Sequence, residues 1–367
     1  MTDIRLQRLA DLLVNYCTEI QAGDYVIIRA DVSALEAARL VYAAVVEAGA
    51  HPSVSMGDEA MSRIFLRDGV DAQLNWLNPT VRLQIEQANA LISLRSTVNT
   101  RAMTGIDPKR MQQTRKAQKP VIETYMKRSA AGDFKWTLTQ YPTEGSAQEA
   151  NMSLEEYADF VHGATFCDHE DPVAKWQEVN AMQQEKVDWL KGKKQVKLSG
   201  PNIDLELSIE DRIFINANGQ RNMPDGEIFT GPVEDSVNGW VRYSYPTIVG
   251  GRMVKGIELK FEGGKVVEAS ADQNEELLLA QLDTDPGARY LGEFAIGTNF
   301  GINQFTGNIL FDEKIGGTIH TAIGASYPDT GGKNESAVHW DMICDMREDS
   351  EIHVDGDLFY KNGEFVV

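Results

Sequence analysis

The sequence contains only three cysteines, Cys17, Cys167 and Cys344, and no CxxC pair. An odd number of widely spaced cysteines argues against a disulfide framework and against a zinc site built from thiolates. The chain also lacks a run of about 18 apolar residues, so no transmembrane helix is predicted. Its amino-terminal stretch is polar and amphipathic, unlike a signal peptide. We therefore expect a cytoplasmic protein that does not bind membranes.

Basic residues are also scarce, because 35 Lys and Arg stand against 55 Asp and Glu, for a formal charge of −20. Binding to a nucleic-acid backbone needs a basic surface, so we expect no nucleic-acid partner. Neither GxGxxG nor GxxxxGK[ST] occurs, so no nucleotide phosphate site is predicted. The 367 residues and the 42% hydrophobic content are ordinary for a globular chain that is long enough for two domains.

The first half of the chain alternates short apolar segments with helical patterns. Helices are predicted at 4–17, 33–50 and 61–77, and a partly helical segment at 101–118. Strands are predicted at 24–29, 51–56, 88–95 and 120–125, with a further candidate at 136–141. Strands that alternate with helices in this way predict a parallel sheet with helices on its faces. The first half is therefore predicted to be an α/β scaffold.

The pattern changes to β-rich after residue 195. Two strands surround the turn at Gly200-Pro201, and two hairpins are predicted at Gly263-Gly264 and at Asn362-Gly363. Helical runs at 153–161 and 172–190 are interpreted as the connection between the halves. We therefore predict an α/β domain at 1–190, which includes these helices, and a β-rich α+β domain at 191–367.

The segment 291–341 contains two of the six histidines, His320 and His339, among glycines and short apolar runs. His339 and Asp341 are two residues apart in HWDMICDM. If this segment is a strand, both side chains point to one face, because strand side chains alternate. An imidazole nitrogen and a carboxylate oxygen directed at a common point are what a divalent metal ion needs.

Two glutamates complete the candidate site. Glu293 lies in the apolar run LGEFAIG, where a buried charge needs a partner. Glu227 lies between a Pro-x-Gly turn and a strand, which fixes its direction. We predict that Glu227, Glu293, His320, His339 and Asp341 bind metal, and that Tyr327 lies beside them, where a phenol could donate to an oxyanion. The four other histidines, His51, His162, His169 and His353, fit this site poorly.

Three carboxylates and two imidazoles exceed what one tetrahedral zinc ion needs and suit a two-metal centre with one bridging carboxylate. Zinc, cobalt and manganese all fit these ligands. Two alternatives stay open at this point. One is a mononuclear metal oxygenase that uses two histidines and one carboxylate. The other is a non-catalytic binding or storage protein that the metal stabilises.

The motifs MPDGEIFT at 223–230, GEFAIG at 292–297, His320 with Tyr327, and His339-Trp340-Asp341 resemble the thermophilic-type metallo-aminopeptidases of the aminopeptidase T and aminopeptidase S group. The resemblance extends over nearly the full length of the chain. One departure is Asp225, where the family pattern has threonine, so the turn that directs Glu227 differs.

The resemblance implies a two-metal exopeptidase that releases N-terminal amino acids from short peptides with a free amino terminus. It implies the same five ligands, a catalytic role for Tyr327 and a homodimer. In this mechanism a hydroxide that bridges the two metals attacks the first peptide carbonyl. We expect the metal site to lie in the domain at 191–367.

Overall fold

The computed structural model describes residues 3–249 and 251–367. They form two compact units, one of residues 3–174 with Gly219–Pro224 and the other of Lys175–Asn218 with the described residues of 225–367. The helix at Pro172–Leu190 begins in the first unit and lies mostly in the second. The predicted division into domains at residue 190 stays a prediction. No helix in the described part of the chain is long and apolar enough to cross a bilayer.

The described α-helices, in chain order, are α1 Ile4–Leu12, α2 Leu35–Glu47, α3 Glu59–Asp68, α4 Asp71–Leu74, α5 Pro79–Gln87, α6 Pro108–Ala117, α7 Lys119–Ala130, α8 Glu144–Glu149, α9 Leu154–Ala164, α10 Pro172–Leu190, α11 Glu275–Leu282 and α12 Ile309–Asp312. A π-helical turn at Leu13–Cys17 extends α1, and short 3₁₀ helices lie at Val32–Ala34 and Pro328–Thr330.

The described strands are β1 Tyr25–Asp31, β2 His51–Gly57, β3 Ala90–Arg95, β4 Lys135–Gln140, β5 Gln195–Gly200, β6 Ile203–Ser208, β7 Ile215–Ala217, β8 Asn222–Met223, β9 Glu227–Thr230, β10 Asn238–Arg242, β11 Thr247–Val249, β12 Arg252–Val254, β13 Glu258–Glu262, β14 Lys265–Ser270, β15 Leu291–Gly297, β16 Thr318–Gly324, β17 His339–Asp345, β18 Glu351–Val354, β19 Asp357–Lys361 and β20 Glu364–Phe365.

The first unit contains a parallel sheet in the order β2-β1-β3-β4-β8. Strands β1 and β3 are buried over most of their length, as expected for a parallel sheet covered by helices. The α/β class predicted for this half is therefore confirmed. Strand β8 comes from a later part of the chain and was too short to be recognised in the sequence.

The prediction of a strand at 120–125 is wrong, because these residues lie in helix α7. Pro120 stands in the first turn of that helix, where its missing N–H costs nothing. Val121 then packs into an apolar cluster with Ile27, Leu91 and Phe134. Helical packing thus outweighs the β-branched composition of the segment. The fourth long strand of the sheet is β4, which was predicted at 136–141.

The second unit is built from antiparallel sheets. Eight strands form one sheet in the order β14-β13-β10-β6-β5-β18-β19-β20, and five form another in the order β17-β16-β15-β9-β7. Strands β11 and β12 pair separately. The predicted hairpins at Gly263-Gly264 and Asn362-Gly363 are present. The β-rich prediction for the second half is confirmed.

Strand β15 contains a β-bulge that decides which way Glu293 points. Leu291 lies opposite Ile323, but Glu293 lies opposite Ala322, so the register shifts between them. Gly292 is the extra residue. A Cβ at Gly292 would lie 2.2 Å from the carbonyl oxygen of Ala325 and 2.4 Å from that of Gly324. The bulge therefore requires glycine, and it places Leu291 and Glu293 on opposite faces of the sheet.

We predict that Gly292→Ala destabilises the protein, because backbone atoms of the neighbouring strand must move to admit a methyl group. The expected loss is about 1–3 kcal/mol of unfolding free energy, typical of an overpacked site. Chemical denaturation measures it. The control is Gly163→Ala in α9, where a Cβ meets nothing within 4 Å. A Gly292→Ala variant as stable as the Gly163→Ala variant would show that the bulge does not require glycine.

Candidate metal centre

The sheet that contains β15, β16 and β17 has two chemically different faces. Alternate residues of its strands belong to the large apolar core of the second unit, namely Ile228, Phe294, Ile296, Ile319, Ile323, Trp340 and Met342. The residues between them point to the opposite face. That face carries Glu227 on β9, Glu293 on β15, His320 on β16, and His339 and Asp341 on β17.

The strand register brings these five side chains together. Ala322 of the central strand β16 pairs with Glu293 of β15 on one side and with Asp341 of β17 on the other. His320 lies opposite Ala295, and Glu227 opposite Gly297. The positions between the ligands on β15 and β16 are therefore occupied by alanine and glycine, and Ile343 lies opposite His320 on β17. These small residues leave the larger ionisable side chains free to converge above the sheet.

The distances confirm that the side chains converge. His320 Nε2 lies 3.5 Å from Glu227 Oε2 and 3.6 Å from Glu293 Oε1. His339 Nε2 lies 3.2 Å from Glu293 Oε2 and 3.6 Å from Asp341 Oδ1. The structure thus brings together all five residues that were predicted to bind metal. Whether they bind metal stays a prediction.

Both imidazoles are oriented through their other ring nitrogen. His320 Nδ1 is 2.9 Å from the carbonyl oxygen of Glu313, and His339 Nδ1 is 2.8 Å from that of Ala325. A carbonyl oxygen only accepts hydrogen bonds, so each Nδ1 carries the hydrogen. In the neutral ring Nε2 then has a lone pair directed into the cluster. Metal-binding histidines in proteins are commonly oriented in this way.

Glu313, which precedes β16, was missed in the sequence. Its side chain joins His320 and Asp341 in one group of possible ligands, and Glu293, His339 and Asp341 form another. Within each group the candidate ligand atoms lie within 4.8 Å of one another. Asp341 belongs to both groups. A signal was present in the sequence, because Asp312-Glu313-Lys314 interrupts an apolar segment seven residues before His320.

A buried lysine lies beneath the carboxylates. The Lys314 side chain is 0% exposed, and its Nζ contacts the carboxylate of Glu313 and lies 3.8 Å from Glu227 Oε1. The ammonium group offsets part of the repulsion between these two carboxylates. Because it is fully buried, Lys314 is placed to hold them and not to contact a substrate.

Helix α10 fixes the backbone at Glu227. Gln183 is 0% exposed, and its Nε2 donates to the carbonyl oxygens of Glu227, at 3.0 Å, and Ala217, at 3.1 Å. Its Oε1 accepts from the hydroxyl of Thr298 at 2.7 Å. This amide links the ends of β7, β9 and β15. It therefore restrains the strand end from which Glu227 projects.

The carboxylates of the cluster strongly favour positively charged groups beside them. Burial would lower the pKa of His320, but the nearby carboxylates of Glu293 and Glu227 raise it to about 10. His339 behaves in the same way, and its pKa rises to about 11 through Asp341 and Glu293. Burial raises the pKa values of Glu227 and Glu313. The cluster thus concentrates more negative charge than its own cations balance.

Tyr327 lies at the more open side of the cluster. Its ring meets the His339 ring edge-on, with centroids 5.0 Å apart, and the residue is 47% exposed. The side chain of His339 is 26% exposed, whereas that of His320 is 1% exposed. Burial raises the pKa of Tyr327, and the charge of Glu293 raises it further. Tyr327 therefore keeps its proton and is placed beside the cluster, as predicted.

The cluster fits divalent metal ions. It offers carboxylate oxygens and two Nε2 atoms, and Glu227 Oε2 is buried without a hydrogen-bond partner among the described residues. Buried oxygen and nitrogen donors of this kind suit zinc and other first-row divalent ions. The possible metal groups found among the described residues contain His320 and His339 and none of the four histidines that were considered unsuitable.

Comparisons with known proteins assign the chain to a family. The model of the family described as thermophilic metalloprotease (M29) matches residues 2–365. Aminopeptidase T of Thermus thermophilus is 30% identical over 98% of this chain and 95% of its own length. Aminopeptidase 2 of Geobacillus stearothermophilus is also 30% identical, over 96% of this chain and 93% of its own.

A solved structure extends the similarity to the fold. The structure of wild-type AmpT from Thermus thermophilus matches with a TM-score of 0.87 and 26% sequence identity, over 99% of both chains. The predicted family resemblance is therefore confirmed, and so is the prediction of a metal-dependent aminopeptidase. The oxygenase and the storage protein are not supported. The chain belongs to the thermophilic metalloprotease family M29.

Proposed function

We propose that this metal-dependent peptidase removes residues one at a time from the amino end of short peptides, at a centre that holds two divalent ions. The observation that carries the two-ion proposal is the position of Asp341. Its carboxylate belongs both to the group with Glu293 and His339 and to the group with Glu313 and His320. A carboxylate shared by two ligand groups suits a bridged pair of ions.

The proposed ligands are the five predicted residues together with Glu313. Glu293 also approaches both imidazoles, so it is a second candidate for a bridging position. Two bound divalent ions would supply a water nucleophile that is active near neutral pH and would polarise the peptide carbonyl. The oxygen and nitrogen donors suit zinc, cobalt or manganese.

The chain's own residues account for the restriction to amino ends. Glu227, Glu293, Glu313 and Asp341 place four carboxylates around one point, in a chain with a net charge of −20. Carboxylate oxygens that the ions leave uncoordinated can accept hydrogen bonds from a protonated amine, whereas they repel a carboxylate. We therefore propose that the free α-amine of the peptide binds beside the cluster. This places the first peptide bond, and not an internal one, at the reacting position.

Tyr327 is proposed to donate a hydrogen bond to the oxygen that becomes negative as the first peptide bond is attacked. A phenol keeps its proton at neutral pH, so the hydroxyl can act as a donor. Lys314 and Gln183 are proposed to act indirectly, by holding the proposed ligands in position. Lys314 holds the carboxylates of Glu227 and Glu313, and Gln183 holds the backbone of Glu227.

We also propose that the protein is a cytoplasmic homodimer. The homodimer is supported by the family resemblance. The cytoplasmic location is supported by the scarcity of cysteine.

The direction of cleavage tests the proposed function. We expect a pentapeptide to be shortened one residue at a time from its amino end, and its amidated form to be cleaved equally well. The acetylated form should resist cleavage because it lacks the charged amine. Mass spectrometry of the three peptides after incubation with metal-loaded protein measures this, with chelated protein as the control. Internal cuts, or equal cleavage of the acetylated peptide, would refute the exopeptidase proposal.

Metal binding tests the ligands. We expect Asp341→Asn to weaken the binding of both ions, because its carboxylate belongs to both groups, and His339→Ala or Glu313→Gln to weaken mainly one. The loss of affinity should reach at least about 10–100-fold, the cost of changing even an outer partner of a metal ligand. Titration calorimetry and elemental analysis measure affinity and stoichiometry. His353→Ala, in the separate strand β18, is the matched control.

Two tightly bound ions in Asp341→Asn would contradict the assignment of Asp341. Normal metal content together with full activity in His339→Ala would contradict the assignment of His339.

We predict that Tyr327→Phe lowers turnover by about 10²–10³-fold, the usual cost of losing one hydrogen-bond donor to an oxyanion. Metal content and KM should change little, because the ring keeps its contact with His339. Tyr245→Phe is the control, since the Tyr245 hydroxyl lies 2.6 Å from Arg347 and not at the cluster. Wild-type turnover in Tyr327→Phe would leave the tyrosine with a packing role.

A further inference from the structure

Three apolar side chains border the cluster on its β7 and β9 side. Phe229 is two residues after Glu227 on β9, so both side chains point to the same face of the sheet. Ile215 on β7 lies directly opposite Phe229 and shares that face. The Tyr327 ring meets the Phe229 ring edge-on, with centroids 5.6 Å apart. We call Ile215, Phe229 and Tyr327 the apolar wall.

The apolar wall is continuous with the candidate metal centre. Tyr327 contacts Phe229 through one part of its ring and His339 through another. Glu227 and Phe229 are neighbours on one strand face. A group bound at the carboxylates is therefore within one side-chain length of Phe229.

The wall is also partly open. Ile215 and Phe229 are each partly exposed, and Tyr327 is 47% exposed. Ile228, which lies between the ligand position Glu227 and Phe229 on the other face, is 0% exposed. Ligand sites typically combine a few fixed polar groups with apolar and aromatic side chains that remain accessible. The other positions beside the ligands offer little accessible apolar surface, because Ala295, Ala322 and Gly297 are small and Ile343, opposite His320, is 3% exposed.

We propose that the apolar wall binds the side chain of the peptide's N-terminal residue and selects apolar residues, aliphatic or aromatic. This inference rests on the proposed aminopeptidase function. With the α-amine beside the carboxylates and the first carbonyl near Tyr327, the Cα of the first residue lies between them. Its side chain then reaches the wall, where Phe229 and Ile215 remove apolar surface from water. A charged side chain would lose hydration there without gaining a partner.

The test compares kcat/KM for leucyl, phenylalanyl, alanyl and lysyl p-nitroanilides. We expect the wild-type protein to prefer leucyl and phenylalanyl substrates over alanyl and lysyl ones. Phe229→Ala should reduce the preference for leucyl over alanyl by about 10-fold or more, the range for removing apolar contacts in a specificity pocket. Phe229→Leu should restore the leucyl preference more fully than the phenylalanyl preference.

Phe365→Ala is the matched control, because Phe365 is another partly exposed aromatic residue, on β20, and contacts Phe359 and Tyr360. Its leucyl-to-alanyl ratio should equal that of the wild type. Elemental analysis verifies that each variant keeps its metal. If Phe229→Ala does not fold, Ile215→Ala and Phe229→Leu give the same comparison.

The outcomes separate the two proposals. A metal-loaded wild type that cleaves none of the four substrates would refute the aminopeptidase function. A wild type that cleaves them, with an unchanged leucyl-to-alanyl ratio in the Phe229 and Ile215 variants, would refute the wall and leave the function intact. A wild-type preference for the lysyl substrate would also refute the role of the apolar wall. It would assign the selection of the N-terminal side chain to the carboxylates.

Discussion

Mutual repulsion among four carboxylates, two of them buried and two half-buried, is the constraint on which the candidate metal centre depends. Glu227, Glu293, Glu313 and Asp341 converge on one face of a sheet whose other face is an apolar core. Unpaired charges in such surroundings are costly, so cations must balance them. Lys314 balances part of the charge permanently. The raised pKa values of His320 and His339 show how strongly the cluster favours further positive charge, which divalent ions would supply.

The fold supplies the geometry that this cluster needs. Alternation along antiparallel strands separates the core from the ionisable face, while alanine and glycine at the facing positions make room above the sheet. The bulge at Gly292 sets the direction of Glu293, and Gln183 restrains the strand at Glu227. The open side is formed by Tyr327 and His339. Rigid strands thus position the candidate ligands, and the partly exposed aromatic residues are left to meet a peptide.

Local sequence patterns predicted the parts of this arrangement that depend on the alternation of side chains along a strand or on the residue types of hairpin turns. The shared face of His339 and Asp341 follows from a spacing of two in a strand. The prediction of a strand at 120–125 was wrong, because Pro120 suits the first turn of a helix as well as the end of a loop. Neither the bulge register nor the approach of Glu313 to His320 could be predicted, because both depend on contacts between segments distant in sequence. The remote partners Lys314 and Gln183 were missed for the same reason.

The central proposal is that one sheet face holds two divalent ions that share Asp341. The most direct measurement is a crystal structure of the manganese-loaded protein with an anomalous difference map. We expect two peaks, one in contact with Glu293, His339 and Asp341 and the other in contact with Glu313, His320 and Asp341. A single peak at full occupancy, or two peaks that do not share Asp341, would contradict the proposal.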